Sequence, residues 1–238
     1  MTEIWRYPLS SVGGERVHSA ELNATGVAGD RQYGMIDLAT GRAVAPEKDH
    51  RWRKALHLEA KSVAGKLPTI VFPDGHSYAL NDRSLDGALS DYFGVATAVA
   101  AYDREEGHFD FPLTEHRTQH FPLHLLTTAS LRHLAGLRQV EAIDSRRFRP
   151  SVLIETSEGA GFLEDRWVGR RLRLGAVDLT AREATKRCGM TFVSQPGLED
   201  DPEILRNILR HNKRNLGIYC TIDSIGTIQV GDGLFIED

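Results

Sequence analysis

The two cysteines of the chain, Cys188 and Cys220, have different neighbours, and only one set of neighbours favours chemistry. Cys188 follows Lys186 and Arg187, after a β-like run, so its thiol is expected at a strand end. A thiolate is the form of cysteine that binds a soft metal, and adjacent cations stabilise the thiolate. Cys188 is therefore the candidate metal ligand and catalytic residue. The alternative is a buried structural cysteine, which is our interpretation of Cys220 in its apolar strand.

Arginines recur where short polar loops meet predicted strands: Arg31, Arg146, Arg147, Arg149 and Arg187. Guanidinium groups bind phosphate in a bidentate manner, and glycines such as Gly13, Gly14 and Gly29 let backbone N–H groups approach an anion. The alternative for each arginine is a solvated surface position. The joint pattern with a cysteine is what favours a phosphate site next to the thiol.

Three histidines, His116, His120 and His124, recur at helical spacing, which would suit a zinc site if the segment were a helix. Pro122 lies inside the segment and disrupts such a helix. The sequence also lacks the H-E-x-x-H and paired-cysteine patterns of zinc sites. We therefore interpret these residues as loop histidines.

Several common functions are disfavoured by the sequence as a whole. It contains no G-x-S-x-G elbow, Walker loop or dinucleotide fingerprint. The net charge is -4, so the single basic and aromatic run at residues 50–54 does not indicate nucleic-acid binding. The first ten residues do not resemble a signal peptide, and no apolar stretch is long enough to cross a bilayer, so we expect a cytoplasmic protein without membrane contact.

Short β-like runs separated by Gly, Asp and Pro turn signals must position these residues. The runs before residue 100 are Glu3 to Tyr7, Arg16 to Leu22, Gln32 to Asp37, Ile70 to Phe72 and Ser77 to Leu80. They predict a mainly β fold, either a barrel or a sandwich. Strands return from Leu216 onward, and we expect these closing strands to form a β meander.

Three amphipathic helices interrupt the strands. The first has an apolar face that begins at Leu85, and it ends at Gly94 as a C-terminal cap. The second begins near Thr128. The third has Asp201 as its cap and Pro202 in its first turn, and it is predicted to bury Ile204, Leu205, Ile208 and Leu209.

Two groups of motifs resemble one known family. Tyr7-Pro8-Leu9-Ser10-Ser11 and Gly26 through Arg31 resemble the N-terminal β module that precedes molybdenum cofactor sulfurase C-terminal (MOSC) domains. The second group resembles the MOSC domain itself: Arg147 through Val152, Gly161 through Trp167, Leu174-Gly175, Arg187-Cys188 and Gly231-Asp232. The resemblance covers nearly the whole chain and implies a MOSC-associated module at residues 1–105 and a MOSC domain at residues 106–238.

The resemblance implies an α+β fold whose β-barrel is similar to the inserted barrel of pyruvate kinase. It also implies the molybdenum cofactor, a molybdopterin-bound molybdenum with Cys188 as its protein ligand. The residues that would face this cofactor are Ser11, Arg31, His120, Arg149, Ser151 and Arg187, the last of which would support the thiolate. Relatives in this family include the mitochondrial amidoxime-reducing component and bacterial hydroxylaminopurine reductases.

The implied function is a molybdenum-dependent oxidoreductase that reduces N-hydroxylated or N-oxide substrates. The sequence has no flavin or iron–sulfur motif, so a separate reductase would supply the electrons. Ser10 stands where the family has a lysine, and Ser151 stands where it has an asparagine, which weakens the implied phosphate site. Two alternatives therefore stay open: a carrier of the cofactor or of persulfide sulfur, and a barrel that serves only as an interaction module.

Overall fold

A computed structural model describes residues 1–101, 122–157 and 161–237 of the chain. The helices in these ranges are α1 Leu85–Phe93, α2 Thr128–Arg138 and α3 Pro202–Asn212. The first eight strands are β1 Glu3–Arg6, β2 Glu15–Val17, β3 Ser19–Asn23, β4 Gly26–Val27, β5 Tyr33–Asp37, β6 Glu59–Lys61, β7 Thr69–Val71 and β8 Ser77–Ala79. The others are β9 Thr97–Ala101, β10 Leu123–Thr127, β11 Val152–Ile154, β12 Arg171–Leu174, β13 Val177–Lys186, β14 Asn215–Ile222, β15 Gly226–Gln229 and β16 Leu234–Ile236.

The largest sheet has eight strands in the order β16-β12-β13-β14-β10-β11-β1-β2. Its neighbouring strands pair in antiparallel fashion except for β10 and β11, which are parallel and are connected through α2. The prediction of a mainly β fold with a few helices is confirmed. Within the described ranges, β16 and β2 remain edge strands, so the hydrogen bonds do not close this sheet into a barrel.

Three smaller sheets complete the fold, in the orders β15-β3-β4, β5-β9 and β6-β7-β8. The prediction of a closing β meander is wrong, because β14, β15 and β16 belong to three different pairings. β14 pairs with β10 and β13, β15 pairs with β3, and β16 pairs with β12. Local alternation of apolar residues predicted the strands but carries no information about distant pairing partners.

Strands from both ends of the chain share hydrogen bonds. β1 pairs with β11 in the large sheet, and β3 pairs with β15. A boundary at residues 105 and 106 remains a prediction, and any such division leaves β1 and β2 in the same sheet as the strands of the second half.

The buried apolar side chains form three clusters. One lies between the large sheet and the β15-β3-β4 sheet, one is built from residues 9–93 around α1, and one lies beneath α2 and α3. The largest cluster contains Cys220, which confirms the interpretation of this residue as structural. Burial raises the pKa of its thiol to about 12.

The helix predictions are confirmed at their ends. Gly94 follows α1 with a φ of 71°, and the Asp201 side chain accepts from the backbone N–H of Glu203 at the start of α3. The predicted burial in α3 is confirmed for Ile204 and Ile208 only. Leu205 is partly buried and Leu209 is exposed, because the buried face of the helix runs through Ile204 and Ile208.

Candidate functional site

Cys188 lies just beyond the end of β13, as its sequence context predicted, and begins the 3₁₀ turn Gly189–Phe192. It is partly buried, whereas Cys220 is fully buried in β14. The turn after Cys188 contacts the 3₁₀ turn Ser145–Phe148, which leads into Arg149. The turn that follows Cys188 therefore lies beside the segment that carries the predicted anion-binding arginine.

Arg187 connects the cysteine segment to the interior. Its guanidinium is buried, and its Nη2 donates to the carbonyl oxygen of Phe148 over 2.6 Å. Its backbone N–H donates to the carbonyl of Arg214, which ties the cysteine segment to the residue before β14. Lys186, by contrast, is exposed. Of the two cations that precede the thiol, one is thus directed inward and the other outward.

His124 occupies the centre of the arrangement, on β10. Its Nε2 lies 3.4 Å from Nη1 of Arg187, and its Nδ1 lies 3.3 Å from the carbonyl oxygen of Arg149. Because a guanidinium can only donate and a carbonyl can only accept, these contacts fit a neutral imidazole with its proton on Nδ1. Burial, together with the charge of Arg187, lowers the pKa of His124 well below its usual range.

Arg149 has the most unusual environment of the predicted site residues. Its side chain is more than nine-tenths buried, donates from Nη1 to the carbonyl of Val12, and lies 4.2 Å from the centre of the Tyr7 ring. Its Nη2 has no hydrogen-bond partner among the described residues. Burial lowers its pKa to about 10, and the charges of Arg31 and Arg187 act in the same direction.

Arg31 approaches the same tyrosine ring at 4.9 Å. It forms an ion pair with Asp30, whose other carboxylate oxygen accepts from the Tyr7 backbone N–H over 2.6 Å. Burial opposes the charged form of Arg31, but Asp30 and Tyr7 outweigh this effect and raise its pKa. The Tyr7 ring thus has two guanidinium groups near it, of which only one is paired with a carboxylate in these contacts.

The two predicted serines make internal hydrogen bonds. The hydroxyl of Ser11 donates to the Val44 carbonyl over 2.9 Å, and the hydroxyl of Ser151 accepts from the His124 backbone N–H over 3.3 Å. Ser151 is fully buried between strand ends.

Three of the predicted residues share an uncommon backbone conformation. Ser11, Arg31 and Arg149 have φ angles of 64°, 49° and 51°, in the left-handed region that non-glycine residues rarely adopt. Left-handed non-glycine residues cluster at ligand-binding sites, where the surrounding structure holds them in place. Gln139, Lys213 and Arg214 share this conformation, so it accompanies the sequence motifs but does not by itself identify the site.

Other sequence predictions have different outcomes. His120 and His116 lie outside the described residues. Arg146 pairs with Asp144, and Arg147 donates to the Glu199 carbonyl, so their side chains have other partners than the Tyr7 ring. The described residues contain no group of three or more His, Cys, Asp or Glu side chains placed to hold a metal ion.

The interpretation of His124 as a loop histidine is wrong, because it lies in β10. The short apolar run Leu123–Thr127 after Pro122, which is typical of a buried strand, was the signal that could have placed it in a strand. Tyr7 and Asp30 were also missed as site residues, although both fell within the motifs quoted for the family. None of the helices in the described ranges is long and apolar enough to span a membrane.

A comparison with a solved structure agrees with the fold. The YuaD protein from Bacillus subtilis is 12% identical, with a TM-score of 0.52, over 98% of this chain and 94% of its own, which shows a shared fold. YiiM from Geobacillus stearothermophilus is 12% identical over 49% of this chain and 54% of its own, with a TM-score of 0.39. A search of curated proteins found no match.

The family model for the MOSC domain matches residues 112–234, which is more than half of the chain. This domain is associated with molybdenum cofactor binding. The matched range includes Arg149, Arg187 and Cys188, and the chain belongs to the MOSC domain family.

Proposed function

We propose that this protein binds the molybdenum cofactor, with the Cys188 sulfur as metal ligand and Arg149 against the pterin phosphate. The observation that carries the proposal is the environment of Arg149. Its two close contacts are a carbonyl oxygen and an aromatic ring, neither of which is an anion. A buried guanidinium with an unused N–H group is stabilised by an anionic ligand.

The residues present suit both the metal and the phosphate of the molybdenum cofactor. A partly exposed thiol beyond a strand end suits a soft metal, and the Arg149 guanidinium suits a phosphate. Arg187 connects the two, since its side chain reaches the carbonyl that precedes Arg149 and its backbone precedes Cys188. When bound, the cofactor supplies two-electron redox chemistry and accepts oxygen.

The other residues act around this framework. The Tyr7 ring packs against Arg149, Arg31 adds positive charge on the same ring, and Asp30 fixes Arg31. His124 orients Arg187 and the Arg149 carbonyl as a neutral side chain. Ser11, Ser151 and His120 complete the set that we assign to the cofactor, with Ser11 and Ser151 retaining lone pairs beyond their internal hydrogen bonds.

The reaction that we assign is reduction of an N-hydroxylated or N-oxide substrate. The N–O bond breaks, the substrate nitrogen gains two electrons, and the oxygen leaves as water with two protons from solvent. A separate reductase is oxidised by two electrons per turnover. The enzymatic role depends on this electron supply, so cofactor binding and turnover are tested separately.

Metal content tests the binding step. The wild-type protein, purified from cells that make the cofactor, is expected to contain molybdenum in near-stoichiometric amount by elemental analysis. Cys188→Ala is expected to lose most of it, and Cys220→Ala, which removes the structural thiol, is expected to retain it. Metal-free wild-type protein, or equal metal in all three samples, would contradict the assignment.

Turnover is tested on the metal-containing protein with benzamidoxime as substrate and a reductase as electron donor. Formation of benzamidine that depends on both Cys188 and the donor supports the oxidoreductase. If the molybdenum-containing protein forms no benzamidine with any donor, the oxidoreductase proposal is wrong.

A carrier function is the second candidate. The hydroxyl of Ser151 already accepts from His124, and Ser10 stands in place of the family's lysine, so the phosphate site has fewer strong donors than the family pattern. A weaker site suits transient binding of the cofactor, or of sulfur as a Cys188 persulfide. The carrier would restore activity to an apo-molybdoenzyme without reductase activity of its own, and failure of this transfer would exclude it.

A further inference from the structure

Three exposed cations lie together beside Cys188. Lys186 ends β13, and its partner in the sheet register is Asn215, the first residue of β14. Lys213 and Arg214 immediately precede Asn215, and the Arg214 carbonyl accepts from the backbone N–H of Arg187 over 2.8 Å. We call Lys186, Lys213 and Arg214 the basic rim.

The rim has a local charge opposite to that of the whole protein. Residues 184–198 and 204–218 together contain six Lys or Arg residues and no Asp or Glu, although the net charge of the chain is -4. Among the acidic residues just outside these two windows, Asp200 pairs with Arg53, Asp201 with Arg138 and Glu203 with Arg206. Within the described ranges, no rim residue forms an ion pair with a carboxylate, and all three side chains are exposed.

Two of the three rim residues have a strained backbone conformation, and neither of them is a glycine. Lys213 and Arg214 both have positive φ angles, 50° and 74°, after the end of α3. Glycine adopts this conformation without strain and is the common residue at such a helix end. At these two successive positions the chain carries cations where glycine would be less strained.

We infer that the basic rim docks an acidic electron-transfer protein next to Cys188. The inference rests on the proposed function, because that function needs an external donor of two electrons for each N–O bond reduced. Opposite charge at an interface accelerates encounter and fixes orientation. Lys186 is two residues from the proposed metal ligand, so a donor docked on the rim would bring its reduced flavin close to the site that it must reduce.

Binding of a purified acidic flavodoxin, measured by calorimetry at low and high salt, tests the inference. The variants are Lys213→Gly and Arg214→Gly, which remove one charge each and also relieve the positive φ. Gln139→Gly is the matched control, because Gln139 is an uncharged, exposed residue with a φ of 54° at the end of α2. Urea denaturation should show that all three fold, since glycine suits these positions.

We expect salt-sensitive binding by the wild-type protein, a loss of about fivefold in affinity for each rim variant, and no change for Gln139→Gly. The same pattern is expected in Cys188→Ala protein without metal. Such binding would support the docking inference even if the cofactor assignment were wrong. If the protein contains molybdenum but does not bind flavodoxin, the docking inference is wrong and the cofactor assignment is unaffected.

Absence of binding, or binding that is insensitive to salt and to both rim variants, overturns the inference. An effect of the rim variants that appears only in substrate kinetics also overturns it. If the rim variants raise KM for a carboxylated amidoxime but not for neutral benzamidoxime, with dithionite as reductant, the rim recognises an anionic substrate rather than a protein.

Discussion

Nη1 of Arg187 lies 3.4 Å from Nε2 of His124, so a buried cation rests against an imidazole that must stay neutral to accept from it. The other ring nitrogen faces the Arg149 carbonyl. Arg187, which precedes the proposed metal ligand, is therefore connected through His124 to Arg149, the residue proposed to bind phosphate.

The neutral state of His124 predicts a pH dependence of stability. Its folded pKa is depressed by burial and by Arg187, so the unfolded chain takes up the proton first as pH falls below about 6.5. Between pH 7.5 and 5.5 the wild-type protein should lose about 1.4 kcal/mol relative to His124→Gln, because a fully unmatched proton costs about that much per pH unit. Urea denaturation at both pH values measures this, and parallel losses in the two proteins would contradict it.

Arg149 predicts stabilisation by a simple anion. Sulfate at about ten times its Kd should stabilise the wild-type protein by about 1.4 kcal/mol, or about 3–6 °C in Tm, relative to chloride of equal ionic strength. Arg149→Gly allows the left-handed backbone and removes the guanidinium, and it should abolish the shift. The exposed Arg83→Ala serves as control and should keep it. An undiminished shift in Arg149→Gly would place the anion elsewhere.

Gly217 is predicted to be required for space as well as for backbone conformation. Its φ is 81°, and a Cβ there would lie 2.3 Å from Nε2 of His124 and 2.9 Å from the Leu125 carbonyl oxygen. Gly197 has a similar φ of 75° but open space around it. Gly217→Ala should therefore destabilise the protein by about 2–3 kcal/mol more than Gly197→Ala in urea denaturation. Equal losses would mean that His124 moves aside freely.

Much of the local structure could be predicted from the sequence, because its signals are local. Gly94 ended α1, and Asp201 with Pro202 began α3, as expected from cap chemistry. Pairing of β3 with β15 could not be predicted in this way, since it joins segments about 200 residues apart and depends on the whole core.

The contacts within the candidate site were less accessible from the sequence. The spacing of Tyr7, Arg31 and Arg149 says nothing about two guanidinium groups meeting one ring. His124 was misinterpreted because its spacing to other histidines drew attention away from the strand pattern around it. The left-handed backbone at Arg149 also has no sequence signal, since glycine is the residue expected there.

The two cysteines should differ strongly in alkylation. Cys188 is partly exposed, whereas Cys220 is buried in the main core, and burial raises the pKa of the Cys220 thiol to about 12. Iodoacetamide at pH 8 should modify one thiol in the native protein and two in urea, as counted by mass spectrometry. Native Cys188→Ala should take up none. Modification of Cys220 in the native state would contradict its burial in the sheet.

Glu164 is a buried carboxylate that hydrogen-bonds to the start of α2 and to β14. It accepts from the hydroxyls of Thr127 and Ser130, each over 2.6 Å, and from the backbone N–H of Gly217 over 3.0 Å. Gly217 in turn lies against His124, so Glu164 ties the start of α2 to the strand beside the imidazole. Burial raises the pKa of Glu164, although the two hydroxyl donors oppose this.

Glu164→Ala should therefore destabilise the protein by about 3 kcal/mol or more, because three buried donors lose their acceptor. Glu164→Gln keeps the volume and one acceptor oxygen, and it should cost less. A raised carboxyl pKa means that the folded state favours the proton, so the contribution is present at low pH and is lost as pH rises through the folded pKa. In urea denaturation, the free energy of unfolding of Glu164→Gln should therefore rise relative to that of the wild type as pH increases. If the wild type instead gains stability over Glu164→Gln with increasing pH, the ionised carboxylate is the stabilising form.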